Sequence, residues 1–144
     1  MKYQSGGMGR VVIARFDDGD DVLRGLESLA EKEGIKAGVL YLIGGMRRGN
    51  VVAGPKNDEL PPVPVWKELK GPHEVVAIGT LFHDEEGPKV HLHGAFGRAD
   101  DVRVGCLREL SETFLLLEAV VMEITGIEAR RELDPASGLK LLRL

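Results

Sequence analysis

The sequence contains one cysteine, Cys106. No disulfide can close within a chain, and the expected compartment is a reducing one. Long apolar runs are missing as well. The longest, Phe114 to Met122, is interrupted by Glu118 and falls far short of the about 18 residues needed to cross a bilayer as a helix. The N-terminal stretch Met1 to Gly7 has no apolar core of the kind a signal peptide carries, so a cytoplasmic protein is expected. Basic residues are not in surplus: 19 Lys and Arg stand against 23 Asp and Glu, a net charge of −4. Tight nucleic-acid binding draws on phosphate neutralisation, which an acidic chain supplies poorly, so DNA is not an expected partner of the isolated domain. Side-chain amides are scarce too, being only Gln4, Asn50 and Asn57, while 29% of residues are charged. Few thermolabile amides and many charges are the composition of a thermophile protein.

What is present reads as one ordinary domain, residues 1–144, long enough to bury roughly 70% of its unfolded surface. Repeats, linkers and low-complexity tracts are absent. Val11 to Phe16 reads as a strand, and Asp18 or Asp20 as the cap of the helix that follows. Val22, Leu23, Leu26, Leu29 and Ala30 recur at helical spacing, with Arg24, Glu27, Glu31 and Lys32 opposite, until Gly34 ends the run. Strands are expected at Ala37–Ile43, Val51–Ala53, Val65–Leu69, Glu74–Phe82, around His91, at Val102–Leu107, at Phe114–Thr125 and at Leu139–Leu144. Gly44 to Asn50 reads as a tight turn or bulge between strands and Gly71-Pro72 as a turn. Hairpin-sized gaps between most strands predict an α+β fold, a mostly antiparallel sheet with one main helix packed on it.

The chemistry-bearing segment is Lys89-Val90-His91-Leu92-His93-Gly94. On a strand, His91 and His93 project from one face while Val90 and Leu92 take the other. Cys106 follows thirteen residues after His93, on the next strand, and adjacent strands lie about 4.8 Å apart. Two imidazoles and a thiol on one face are three ligands suited to zinc or a similar divalent metal ion, provided that the register brings them together. Glu118 stands in an otherwise apolar strand. It either pairs with Arg15 or another arginine, contributes to the surroundings of the metal, or faces solvent at an edge.

Four blocks carry a family resemblance: Gly71 to Leu81, Val90 to Gly97, Val104 to Leu107 and Glu118 to Val121. With the opening strand bearing Arg15, the acidic turn, the helix and the Ile43-Gly44-Gly45 end, they resemble the plants-and-prokaryotes-conserved (PPC) domain over nearly the whole chain. The resemblance implies a strongly curved antiparallel sheet, assembly as a homotrimer and, in stand-alone prokaryotic members, metal binding without a settled activity. Many members carry histidine at the position of Cys106, and cysteine in its place remains a competent zinc ligand. Plant members join the same domain to AT-hook segments, whose Arg-Gly-Arg core is absent from this chain.

Two functions follow as expectations. One is a small metal-binding homotrimer with His91, His93 and Cys106 as ligands and Glu118 and Arg15 as outer residues or anchors. The alternative is a DNA-associated regulator or protein-interaction module without chemistry of its own. No residue is assigned a catalytic role.

Overall fold

The computed structural model describes residues 1–144. Seven strands and one helix follow one another as β1 (Gly7–Asp17), α1 (Val22–Glu33), β2 (Ala37–Pro55), β3 (Pro64–Asp84), β4 (Gly87–Arg98), β5 (Asp101–Thr125), β6 (Arg130–Asp134) and β7 (Leu139–Arg143). The strands form one sheet in the order β1-β5-β2-β3-β6-β7, and β4 pairs with both β3 and β5. That extra pairing closes β2, β3, β4 and β5 into a ring, so the sheet curves strongly. Every pairing is antiparallel except the single parallel bridge His83–Arg130 between β3 and β6. The α+β class expected from the spacing is the class observed.

Helix α1 forms where the apolar spacing predicts it. Val22, Leu26 and Ala30 are buried on one side. Gly34 adopts the left-handed conformation, φ 66°, and its N–H closes on the carbonyl of Glu31. The cap is Asp21, not Asp18 or Asp20. Its carboxylate accepts from the Arg24 N–H at 3.0 Å and from the Ser111 hydroxyl at 2.8 Å. Ser111, itself on β5, accepts from the Leu23 N–H at 3.0 Å, so a distant strand selects which aspartate caps. Asp18 instead receives Arg47, and Asp20 accepts from the Asp17 N–H. The stripe on α1 joins Phe16, Leu40, Leu42, Phe96, Leu107 and Leu117 in the core, so one face of the sheet is covered and the other is free of helix. No helix is long and apolar enough to cross a membrane.

Three expected interruptions do not end strands. Gly44 to Asn50 lies inside β2, Gly71-Pro72 inside β3, and the segment between Leu107 and Phe114 inside β5. The local signals are real, but they mark bulges. Against β2, β5 slips register between Gly44 and Gly45 and again between Gly49 and Asn50. The slips fall where Leu115 and Glu109 take φ values of 60° and 59°. Gly44, at φ 138°, sits against the first bulge, where an added Cβ would stand 2.5 Å from the Leu116 carbonyl oxygen. The glycine-rich segment therefore lets two strands approach closely, and its role is to bend the sheet.

Candidate metal centre

On β4, alternation sends Leu92 and Phe96 into the core and His91 and His93 to the helix-free face. Thr80 of β3 lies opposite His91 and Ile78 opposite His93. Across the other edge, His93 pairs with Cys106 of β5, which is also the partner of Val52 on β2. The register thus meets the condition that the sequence left open. The ligand atoms of His91, His93 and Cys106 lie within 4.8 Å of one another. The two Nε2 atoms stand 3.1 Å apart, with the rings edge to face at 75°. Two nitrogens bound to one tetrahedral ion at about 2.05 Å would be separated by ~3.3 Å, so the pair needs almost no rearrangement to share an ion.

Close approach of β5 to β2 sets the position of the thiol. A Cβ built on Gly105 would stand 2.4 Å from the Val52 carbonyl oxygen and 2.6 Å from Val51 Cγ1. Gly105→Ala is therefore expected to destabilise the protein by about 1–3 kcal/mol through overpacking, and to shift Cys106 away from His93. Urea denaturation reads the first effect. An unchanged midpoint would show that the strands part without cost.

The electrostatics are those of a half-dry, cationic corner. Cys106 is buried, His91 half-buried and His93 exposed. Burial, then Arg108, Arg131 and His93, push His91 from its ordinary 6.5 down to about 4. Neutral His91 offers a nitrogen lone pair across the physiological range. Burial pushes the Cys106 thiol up, while Arg108 and Arg131 oppose it by favouring the thiolate. No carboxylate belongs to the cluster.

The His91 shift has a consequence for the metal-free protein. An unfolded His91 binds a proton near pH 6.5 and a folded one near pH 4, so the unfolded state holds more protons between those values. Stability is then present above about pH 6.5 and is lost as the pH falls toward 4. Chelator-treated protein is expected to show this decline in chemical denaturation, and His91→Asn to show a flatter one. Equal slopes for the two proteins would contradict the assignment.

Glu118 and Arg15 are brought together but not to this cluster. They face each other across β5 and β1, Glu118 is exposed, and it lies twelve residues along β5 from Cys106. Arg15 is ion-paired to Asp17 at 2.8 Å. Glu118 faces solvent, but not at an edge: it is flanked by Arg15 of β1 and Ile43 of β2. It is not one of the clustered ligand groups, because twelve residues of extended strand lie between it and Cys106. The sequence reading missed Arg108 and Arg131. Arg108 was within reach, since it follows Cys106 by two and a strand places both on one face. Arg131 stands out in the sequence only as half of the basic pair Arg130-Arg131, with nothing to join it to the histidines. It arrives on β6 and donates to the Thr80 hydroxyl at 3.1 Å.

The chain is similar to known proteins over most of its length. A sequence profile of the Plants and Prokaryotes Conserved (PCC) domain matches residues 3–125. A metal-containing protein from Archaeoglobus fulgidus is similar in structure, with a TM-score of 0.87 and 28% identity over all of both chains. A plant- and prokaryote-conserved protein from Pyrococcus horikoshii has a TM-score of 0.87 and 25% identity, over 100% of this chain and 98% of that one. A candidate DNA-binding protein from Ralstonia eutropha shares the fold, with a TM-score of 0.76 and 22% identity over 92% of this chain and 90% of its own. No protein of curated function matches.

Proposed function

The chain belongs to the Plants and Prokaryotes Conserved domain family, and from that premise we propose that it is a small metal-binding protein, holding one zinc-like divalent ion per chain and assembling as a homotrimer. The observation that carries the reading is the convergence of two imidazole nitrogens and one thiol within 4.8 Å, on adjacent strands in matched register. The donor set contains nitrogen and sulfur and no carboxylate, which favours zinc over magnesium or calcium. The metal-containing protein from Archaeoglobus fulgidus, 28% identical over the full length of both chains, supports it.

His91 and His93 would hold the ion through Nε2, and Cys106 through Sγ. When bound by three protein ligands, such an ion supplies Lewis acidity at its remaining position. The chain's own residues prepare the ligands. Burial holds His91 unprotonated, and two guanidinium groups favour a thiolate at Cys106. Elemental analysis of protein purified without chelator or metal-affinity tag is expected to return about one ion per chain. A metal content no higher than that of the buffer would contradict the proposal.

The trimer is supported by the helix-free face. Tyr41, Ile43, Val76 and Ile78 are exposed there and form a continuous patch with Ile13 and Val104. An apolar patch of this kind marks an association surface, and the count of three is what the family resemblance implies. Three chains of −4 give an assembly of −12, which repels a polyanion. Fluorescence anisotropy with mixed-sequence duplex DNA is therefore expected to stay flat near physiological salt. Submicromolar binding lost on Arg47→Ala/Arg48→Ala would favour a regulator instead.

A further inference from the structure

Beside His91 the surface opens into a cleft of about 670 Å³, within the range of small-molecule sites. Thr80, His91, Leu23 of α1 and Leu139 and Leu141 of β7 are among the residues that line it. Four cations line it, and they divide into two kinds. Lys89 is paired with Glu86 at 3.1 Å, and Lys140 with Asp84 at 2.7 Å and Glu85 at 2.8 Å. Arg108 and Arg131 have no carboxylate partner. The acidic lining groups are directed elsewhere. Glu27 accepts from the Val90 N–H at 3.2 Å, and Glu109 from the Asn50 amide at 3.4 Å.

Two guanidinium groups, neither in an ion pair, share one corner and repel each other. Partly buried Arg131 donates to Thr80 at 3.1 Å and lies 6.0 Å over the Phe82 ring, and Asp84 and a Cys106 thiolate offset its charge only in part. Arg108 is exposed, so the cost falls on the partly buried Arg131, and a negative charge entering the cleft would relieve it. Guanidinium forks match the paired oxygens of a carboxylate or phosphate. The leucines in the same lining suit a short apolar body. We propose that Arg108 and Arg131 are the anion-binding half of a ligand site, which takes a small molecule bearing a carboxylate or phosphate group and places that group beside His91. The proposal deepens the metal reading and rests on it, because the anionic group would lie next to the ion held by His91, His93 and Cys106.

The test is calorimetric titration of the purified, metal-bearing protein at low ionic strength, with inorganic phosphate in one arm and butyrate in the other. Saturable binding is expected in at least one arm, and the arm that responds identifies the anion. Arg131→Gln and Arg108→Gln should each weaken it by about tenfold or more while leaving the metal content per chain unchanged. Arg108 has an exposed side chain, so its variant remains informative if Arg131→Gln unfolds. Failure of both anions to bind, or equal affinity in wild type and both variants, would overturn the proposal. Arginine-dependent binding by a wild-type protein that proves metal-free would support the anion site and contradict the metal reading. Bound metal without arginine-dependent binding would do the reverse.

Discussion

Replacing His91 and His93 together with alanine is expected to remove essentially all bound metal while the fold persists. Both side chains lie on the helix-free face, one half-buried and one exposed, so their loss opens no cavity in the core. The loss of two of three protein donors leaves a lone thiol whose burial disfavours the thiolate, and the affinity of such a site collapses. Cys106→Ser should act less completely. The hydroxyl is a poor ligand, but the two nitrogens remain 3.1 Å apart and able to retain an ion weakly. Elemental analysis of the three proteins, checked by circular dichroism, decides the matter. Full metal content in His91→Ala/His93→Ala would place the ion elsewhere. Unchanged content in Cys106→Ser alone would mean that the third ligand is another group.

A single charge in the apolar face is expected to dissolve the assembly. Ile43 is 56% exposed and pairs with Val76, itself 66% exposed, and with Glu118 of β5, so in the isolated chain a carboxylate at Ile43 meets no steric obstacle and only the modest repulsion of one exposed like charge. In an oligomer the same carboxylate is buried unpaired, which costs several kcal/mol at each interface. Ile43→Glu should therefore still fold and run at the mass of one chain, 15.7 kDa, where the wild type is expected at three times that mass. Light scattering at micromolar concentration gives the masses. A monomeric wild type would remove the trimer from the account, and a trimeric Ile43→Glu would move the interface to another surface. Because His93 neighbours Ile78 on this face, the same variant also asks whether metal retention depends on assembly.

How much was legible follows from which forces act locally. The helix from Val22 to Glu33 was readable because its stripe and its terminal glycine are properties of consecutive residues. Its cap was not. Four aspartates stand between positions 17 and 21, and the choice of Asp21 depends on Ser111, ninety residues away. Strand breaks were overcounted for a related reason. Gly71-Pro72, Gly44-Gly45 and the polar stretch from Arg108 to Glu112 look like turns, yet neighbouring strands pair on both sides of each and the sheet bends through them. Of the site, the histidine pair was fixed by the two-residue period alone. Cys106 was a guess about register, and its pairing with His93 came only with the sheet. Arg131 was beyond reach, since β6 meets β3 through one parallel bridge that no hairpin spacing announces.

The most direct test of the central claim is a crystal structure of untagged protein with diffraction recorded on both sides of the zinc absorption edge. The account predicts one anomalous peak per chain, about 2.0–2.1 Å from Nε2 of His91 and of His93 and about 2.3 Å from Sγ of Cys106. A structure with those three atoms in place and no peak between them, or with its peak at another group of residues, would contradict it.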